Sequence, residues 1–375
     1  MDFGRSDEQE EIAGLARRIL TDKVTEDLLR QVESGGAERF DRGVWQALAD
    51  AGLLGVAVST ELGGLGLGII EQCLVLEEVG RTVAPVPVLA SIVGGALPIA
   101  TFGDVALRDR WVTPAIEGRA ILTAALAEPM NRWPEQPATT ATPAGDGWRL
   151  QGVKTCVPAG TVADAILVPA STVEGGVVVC VVEPGAPGLV IEAQRVTNRE
   201  VEALVTLDAV VVDADAVLAP PEQGHQVLTA MIEQSTVGLC AQVAGIVGRA
   251  LELTAAYTKE RIQFDRPIAT FQAVGQRAAD AYIDVEATRL VWLQAAWRLS
   301  EGLPASMEVE VAKFWAAEAA HRVAHTAVHL HGGTGVDADY PIHRYFLAAK
   351  ELEFTLGGAT DQLLRIGAAL AASRE

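Results

Sequence analysis

The spacing of apolar residues changes twice along this 375-residue chain. Up to about residue 119, apolar residues recur at intervals of three and four, as on one face of a helix. From Ala120 the interval becomes two, in short β-rich runs separated by glycine, proline, aspartate and asparagine. From Gly224, three long and mostly apolar helical runs follow. The pattern therefore predicts a mainly α protein with a central β-domain.

These changes predict three domains: a helical domain over 1–119, a small β-barrel or sandwich over 120–223, and a helical bundle over 224–375. No internal repeat or low-complexity linker separates them. The three long C-terminal helices are apolar on several faces, which suits a bundle core that also buries a face against other subunits.

The net charge of −20 and the pI near 4.7 argue against binding to nucleic acid or anionic lipid. A phosphate group would have to be held by local arginines or backbone N–H groups. The N-terminal run is an acidic amphipathic helix, and no long uncharged apolar window follows, so we predict no signal peptide and no membrane span. The four cysteines lack C-x-x-C spacing and are predicted to be reduced and buried in a cytoplasmic protein: Cys73, Cys156, Cys180 and Cys240.

Two motifs have ordinary structural explanations. The stretch STELGGLGLG lacks G-x-G-x-x-G spacing and links two helices, so we interpret it as a tight interhelical loop. His321, His325 and His329 lie four apart on a helix, a spacing that can bind zinc. We favour an interface role for this stripe and predict no metal site.

Two C-terminal segments carry stronger signals. Arg261 and Arg266 flank Phe264, and together they offer cations and an aromatic face to a pyrophosphate and a ring. The stretch HGGTG provides glycine backbone that a flat or charged ligand can approach closely. Each segment alone could be an ordinary turn.

In this order the motifs resemble the acyl-CoA dehydrogenase family over almost the whole chain. The resemblance rests on LADAGLLGVAVSTELGGLGLG, LEEVGR, AEP, R-x-x-F-x-R-P-I-x-x-F-Q-A and H-G-G-x-G-x-x-x-x-Y-P-x-x-R. It implies an N-terminal helical domain, a central β-domain and a C-terminal four-helix bundle, in a tetramer built as a dimer of dimers. It also implies FAD and the α,β-desaturation of an acyl-CoA. A glutamate would remove the α-proton while the β-hydrogen leaves as hydride to the flavin.

Both positions where the family keeps that glutamate are empty here. The glutamate of the family's E-G-T turn falls on Leu356, or with slippage on Gly357 or Gly358. The alternative position on the long helix falls on Ser235. Glu233 is two residues earlier, about 200° round a helix, and should point away. We therefore predict no catalytic residue in this chain.

The resemblance also predicts that one half of the flavin site is lost and the other is kept. The family's T-E-P-x-x-G-S-D is here AEPMNRWPEQ, and its W-I-T-N-G is CVPAG, where Pro158 removes a backbone donor. The family's residues that hold the adenosine and pyrophosphate of a neighbouring subunit's flavin are intact. The predicted cofactor-binding residues are Arg261, Gln263, Phe264, Gln272, His329, Leu330, Gly332, Gly333 and Gly335.

The favoured interpretation is one subunit of an α2β2 acyl-CoA dehydrogenase whose homologous partner supplies the glutamate. The chain most resembles the smaller, glutamate-lacking subunits of actinobacterial enzymes that act on steroid side-chain CoA thioesters. That likeness implies a cholestenoyl-type acyl-CoA substrate and an electron-transfer flavoprotein or similar acceptor. One alternative is a self-sufficient homotetramer with its base at Glu233, Glu351 or Glu353. Another is a non-enzymatic scaffold or acyl-CoA-binding subunit.

Overall fold

The structure is a computed structural model that describes residues 3–34 and 39–372. Residues 1, 2, 35–38 and 373–375 of the predicted terminal domains lie outside the described part. Helices come first along the chain, then strands, then long helices. The predicted order is confirmed.

The N-terminal helices begin at polar caps. The Ser6 side chain accepts a hydrogen bond from Gln9 N, and the Gln9 side chain accepts one from Ser6 N. The Asp41 side chain caps a later helix by accepting from Val44 N. Two π-helical stretches, Leu89–Ala96 and Arg108–Val112, run directly into helices. The helices are α1 (Asp7–Lys23), α2 (Glu26–Ser34), α3 (Arg42–Asp50), α4 (Ile69–Thr82), α5 (Leu97–Phe102), α6 (Val105–Leu107) and α7 (Thr113–Ile116).

The central strands form one sheet, ordered β6-β7-β3-β2-β4-β5-β8, with β1 parallel to β4. Alternate side chains of β4, β5 and β7, together with Leu150 and Val157 of β3, form its apolar core. The strands are β1 (Leu122–Ala124), β2 (Thr140–Ala144), β3 (Gly147–Pro158), β4 (Ala165–Thr172), β5 (Val177–Val182), β6 (Leu189–Arg195), β7 (Val201–Val212) and β8 (Val217–Ala219). The short β-rich runs found in the sequence after Ala120 predicted all of these strands except β2 and β8.

The three long predicted helices are confirmed, and two shorter helices follow them. A small antiparallel hairpin separates the first two long helices. The elements are α8 (Pro221–Glu260), β9 (Ile262–Gln263), β10 (Arg266–Pro267), α9 (Gln272–Ser300), α10 (Ser306–His331), α11 (Ile342–Phe354) and α12 (Ala359–Ala372).

By contacts, the chain divides into two compact units that differ from the three predicted sequence segments. The first unit comprises 1–28, 73–84 and 236–375, and the second comprises 29–72 and 85–235. The division into three domains at residues 119 and 223 stays a prediction.

In the first unit, two glycines allow close contact between α4 and α8. A Cβ atom on Gly80 would lie 2.0 Å from the carbonyl oxygen of Gln242, and one on Gly245 would lie 1.8 Å from that of Glu77. Any side chain at either position would force the two helices apart.

In the second unit, one cysteine departs from the prediction. Cys73, Cys180 and Cys240 are buried as expected, but Cys156 is exposed. A bulge in the pairing of β3 with β7 between Lys154 and Val157 interrupts the strand alternation, and Cys156 adopts φ +49°.

Within the described residues, α8 is long and apolar enough, by length and composition alone, to cross a membrane. In its most apolar stretch, 67% is buried inside the fold, as in the core helix of a folded protein. Cytoplasmic localisation stays a prediction.

Candidate functional site

The β9–β10 hairpin presents its side chains to solvent. Arg261, Gln263 and Arg266 are exposed, and Phe264 is 87% exposed. Phe264 and Asp265 occupy a tight turn with φ of +53° and +60°. Because positive φ is unfavourable for residues with a Cβ, this turn is strained, and it holds the Phe264 ring exposed to solvent.

Phe271 connects the hairpin to the start of α9. Its ring lies edge-on to that of Phe264, with centroids 6.1 Å apart. The Arg266 guanidinium carbon lies 4.1 Å from the Phe271 ring centroid, a cation–π contact. Gln272, the next residue, is the exposed first residue of α9. The structure therefore brings the predicted residues of the hairpin close to Gln272.

The glycine-rich turn after α10 adjoins the same hairpin through Tyr257. The Tyr257 ring stacks on His331 with centroids 4.3 Å apart, and its hydroxyl donates to the His331 carbonyl oxygen at 3.4 Å. Tyr257 lies one turn before Arg261 on α8 and accepts the Arg261 N–H through its carbonyl. The segments 261–272 and 329–335 are therefore neighbours within the first unit.

The glycines of this turn differ in exposure. No atom lies within 4 Å of a Cβ built on Gly332 or Gly333, so their backbone is open to a ligand. Gly335 is buried, and a Cβ there would lie 2.7 Å from the carbonyl oxygen of Val328. His329 is exposed, whereas Leu330 faces the protein core. Gly335 and Leu330 are thus buried beneath the turn and hold it against the protein core.

His331, the histidine of the HGGTG stretch, was not among the predicted cofactor-binding residues. Its Nδ1 donates to the Ala327 carbonyl oxygen at 2.7 Å, and its buried Nε2 has no hydrogen-bond partner among the described residues. Burial lowers the pKa of His331, which favours the neutral ring. No spacing rule identifies this residue, since its stacking on Tyr257 depends on the fold.

The turn between α11 and α12 contains no proton acceptor. Leu356 adopts φ +58° and Gly357 φ +94°. The carboxylates around it are already engaged. Glu351 accepts from the Thr355 hydroxyl at 2.9 Å, Glu353 from Lys350 at 2.5 Å, and Asp361 from the Gly358 N–H at 3.0 Å.

A buried lysine holds the end of α11. The Lys313 ammonium donates to the carbonyl oxygens of Leu352 and Glu353, both at 3.0 Å, and is wholly buried. Burial lowers the pKa of Lys313 to about 8. The amine thus satisfies carbonyls that a helix end leaves without partners.

The alternative base position also carries no acid. Ser235 and Thr236 are 7% and 4% exposed, and neither side chain carries a carboxylate. Glu233, two residues earlier on α8, is half-buried and makes contacts of its own. Neither Leu356 nor Ser235, the two positions predicted for the base, holds a titratable group.

In the β-domain, Glu128 organises the segment AEPMNRWPEQ. Its carboxylate accepts from Lys154 Nζ at 2.7 Å, from Thr139 N at 2.8 Å and from Asn131 Nδ2 at 2.9 Å. Burial alone would raise the pKa of Glu128, but Lys154 and these hydrogen bonds lower it to about 2. Burial lowers the pKa of Lys154 to about 8 against the opposing pull of Glu128.

The segment CVPAG has few backbone donors to offer. The Cys156 N–H donates to the Gln194 side-chain oxygen at 2.9 Å, and Pro158 has no N–H. The Pro158 carbonyl accepts from the Thr123 hydroxyl at 2.5 Å. The Cys156 N–H is therefore bonded within the chain, and Pro158 offers no N–H at all.

The histidine stripe on α10 forms polar contacts. The rings of His321 and His325 are 4.6 Å apart, and His321 Nδ1 lies 3.3 Å from a Glu353 oxygen. Across residues 3–34 and 39–372, no cluster of three or more histidine, cysteine or acidic side chains could hold a metal ion.

Comparisons with known proteins agree with the geometry. A model of the acyl-CoA dehydrogenase N-terminal domain matches residues 6–119, and one of the C-terminal domain matches 222–371. The chain is 45% identical over 379 residues to the acyl-CoA dehydrogenase FadE27 of Mycobacterium tuberculosis, with 99% of each protein covered. The chain belongs to the acyl-CoA dehydrogenase family.

Two solved structures are also similar. A chain of the ChsE4-ChsE5 complex from Mycobacterium tuberculosis superposes with a TM-score of 0.94 at 45% identity, over 99% of both chains. A chain of a variant of the Tcur3481-Tcur3483 steroid ACAD superposes with a TM-score of 0.92 at 42% identity. That match covers 98% of this chain and 99% of the other.

Members of this oxidoreductase family bind FAD. The hairpin and glycine turn fit part of that group, because Arg261 and Arg266 supply positive charge and Gly332 and Gly333 leave open backbone. The segments 127–136 and 156–160 fit the flavin ring less well, because Glu128 is already paired with Lys154 and Pro158 has no backbone N–H.

Proposed function

We propose that this chain is the base-lacking subunit of an FAD-dependent acyl-CoA dehydrogenase. A homologous subunit would bear the catalytic glutamate and the flavin-ring pocket, and the two would assemble as α2β2. This chain would complete its partner's FAD site.

The main support is the turn between α11 and α12. At Leu356 the side chain is a hydrocarbon, and the neighbouring carboxylates of Glu351, Glu353 and Asp361 accept hydrogen bonds within the turn or its flanking helices. Relocating the base to Glu351 or Glu353 would require breaking those contacts. The self-sufficient homotetramer is therefore the weaker alternative.

Further support comes from the cluster 261–272 and 329–335. Arg261, Phe264 and Gln272 are exposed around open glycine backbone, an arrangement suited to a diphosphate and an adenosine brought by another chain. A pure scaffold would not need these groups together. Arg261 would pair with the diphosphate, and Gly332 and Gly333 would allow its close approach.

The chemistry that FAD supplies in this family is acceptance of a hydride from the β-carbon of the acyl chain. In this proposal the chain contributes binding and orientation, while the proton is removed by the partner. We propose a steroid side-chain acyl-CoA of the cholestenoyl type as substrate, supported by the likeness to the Tcur3481-Tcur3483 steroid ACAD. An electron-transfer flavoprotein or similar acceptor would reoxidise the assembly.

Flavin stoichiometry tests the proposal. The chain is purified alone and after co-expression with a homologous glutamate-bearing subunit, and FAD absorbance is compared with protein mass. We expect no FAD in the chain alone and one FAD per pair of chains in the complex. One FAD per chain in the isolated protein, bleached by an acyl-CoA, would establish the homotetramer instead.

A further inference from the structure

The exposed thiol of Cys156 lies on β3 in the second unit, and nothing assigned above uses it. Cys156 stands in the bulge between Lys154 and Val157 with φ +49°, a backbone conformation that residues with a Cβ rarely adopt. The bulge therefore leaves the sulfur open to solvent, on a sheet whose core side chains are apolar.

Two neighbouring side chains hold Cys156 in place. The side-chain oxygen of Gln194, on β6, accepts the Cys156 N–H at 2.9 Å, and the Gln194 amide nitrogen donates to Thr155 Oγ1 at 3.2 Å. The Thr155 hydroxyl in turn donates to Cys156 Sγ at 3.8 Å. The sulfur therefore has a fixed position, with one donor aimed at it and one side exposed.

A buried carboxyl group adjoins the thiol. Glu202, on β7, pairs in register with Gln194 of β6 and Pro158 of β3, and it is only 7% exposed. Its carboxyl group shares a hydrogen bond with Cys156, and its Oε2 has no hydrogen-bond partner among the described residues. Because an unpartnered buried oxygen is costly, a proton or a small O–H donor would stabilise this group.

The charges around Glu202 make it a stronger base than an ordinary carboxylate. Burial raises the pKa of Glu202, the hydrogen bond with Cys156 opposes that rise, and the nearby Glu200 adds to it. Glu200 is itself paired with Arg39, and Gln194, the residue that faces Glu202 from β6, is uncharged. A thiol in hydrogen-bond contact with such a base has the arrangement of an activated nucleophile.

We propose that Cys156 is a peroxide-reactive thiol and that Glu202 is its acid–base partner. Glu202 takes the thiol proton as Sγ attacks one oxygen of a hydroperoxide. The O–O bond breaks, and the leaving oxygen takes the proton from Glu202, so that hydrogen peroxide is reduced to water. Cys156 is oxidised by two electrons to the sulfenic acid, in which Sγ carries the transferred oxygen.

A small and uncharged oxidant fits this site. The chain has a net charge of −20, which repels anionic oxidants, and the enclosed Glu202 leaves room only for a small molecule beside the sulfur. Under the proposed function such an oxidant arises close by, because a reduced flavin that meets dioxygen yields hydrogen peroxide. Only this source rests on the proposed function, since the thiol chemistry involves this chain's own residues.

Two buried cysteines serve as internal references. Burial raises the pKa of Cys180 and of Cys240 to about 12, and neither thiol reaches solvent. Because the thiolate is the nucleophile in cysteine oxidation, both should stay reduced while Cys156 reacts.

Oxidation kinetics of the full chain, purified alone or with its co-expressed partner, test the proposal. Hydrogen peroxide is added at pH values from 5 to 9, the sulfenic acid is trapped with dimedone, and the Cys156 peptide is quantified by mass spectrometry. The wild-type rate constant should rise as Glu202 ionises above pH 4.5 and level off by about pH 7, below the ionisation of an ordinary thiol near pH 8.5.

Removing the base should change both the rate and its pH dependence. E202Q should lower the rate constant about 100-fold at pH 6, as expected for the loss of a positioned acid–base group, and should move the rise to above about pH 8. E192Q removes an exposed carboxylate from β6 and is the matched control, with an unchanged profile. An E202Q rate constant at pH 6 equal to or above that of the wild type would overturn the proposal, since the carboxylate would then only repel a thiolate.

The wild-type profile decides the question even if E202Q fails to fold. A rate constant that climbs about tenfold per pH unit up to pH 8 is that of an unassisted thiol and would refute the role of Glu202. Dimedone on Cys180 or Cys240 but not on Cys156 would refute the assignment of the site. Flavin content is not measured in this assay, so a failure of the proposed function leaves its outcome unaffected.

Discussion

Replacing Glu128 by glutamine tests how the β-domain holds the segment 128–138. The variant keeps an oxygen that can accept from Thr139 N but removes the negative charge beside Lys154, whose side chain is wholly buried. Removing one member of a buried ion pair leaves the other charge without compensation.

The magnitude follows from the fate of Lys154. Leaving its charge buried and unpaired costs about 3–5 kcal/mol. The cost cannot exceed that of deprotonating Lys154, because the neutral amine can be buried without a partner charge. Neutralising a lysine with a reference pKa near 10.4 at pH 7 requires roughly 4.6 kcal/mol. We expect Lys154 to be neutral in folded E128Q, so the free energy of unfolding should fall by about 4–5 kcal/mol at pH 7.

The pH dependence differs between the two proteins. In the wild type the folded-state pKa of Glu128 is lowered from 4.5 to about 2, so its contribution is present above pH 4.5 and is lost as the pH falls towards 2. In E128Q the folded state holds a neutral Lys154 while the unfolded state holds a charged one. Stability of the variant should therefore rise by about 1.4 kcal/mol per pH unit between pH 6.5 and 8.

Urea unfolding followed by tryptophan fluorescence at several pH values measures both effects. E174Q, on an exposed turn, is the matched control and should be neutral. The double variant E128Q/K154M removes both charges and should recover most of the loss. A loss below about 1 kcal/mol in E128Q, or the absence of the pH slope, would refute the reasoning.

Three further expectations concern the flavin and the missing base. Arg261→Ala should weaken FAD retention by the complex about 10–100-fold, as expected for a lost charge-assisted hydrogen bond. Lys259→Ala, at the same helix end, should leave FAD retention unchanged. Equal flavin content of the two variants after gel filtration would contradict the proposal that this chain completes its partner's FAD site. Glu233→Gln should leave turnover of the complex within about threefold of wild type, and a loss of several orders of magnitude would return the base to this chain. Leu356→Glu should create no dehydrogenase activity in the chain alone, because we predict that the segment 156–160 no longer binds the flavin ring. Measurable turnover would show the pocket to be intact.

The fold was predictable where periodicity is strong. The long helices α8, α9 and α10 and the core strands follow directly from apolar spacing. Strand β2 was missed because Pro143 suggests a turn. The structure accommodates this proline because β2 pairs with β4 only at Thr140 and Ala141, so the missing N–H faces no strand on that side.

The site was predictable only in part. Motif order identifies the hairpin and the glycine turn, but their adjacency depends on Tyr257 stacking on His331, a contact between residues that are distant in sequence. Cys156 was likewise predicted to be buried, and the bulge beside it leaves it exposed. Local backbone irregularities of this kind leave no pattern in the sequence.

The burial of Lys154 and Lys313 has a practical consequence for mapping the assembly. The chain has five lysines, and these two are wholly enclosed. Of the lysines, Lys23, Lys259 and Lys350 remain for amine-directed chemistry, and Lys350 is engaged with Glu353. Cross-linking reagents that target amines would therefore sample few contacts of this chain. Reagents that activate carboxylates would sample its surface far more densely, since it carries 49 acidic residues.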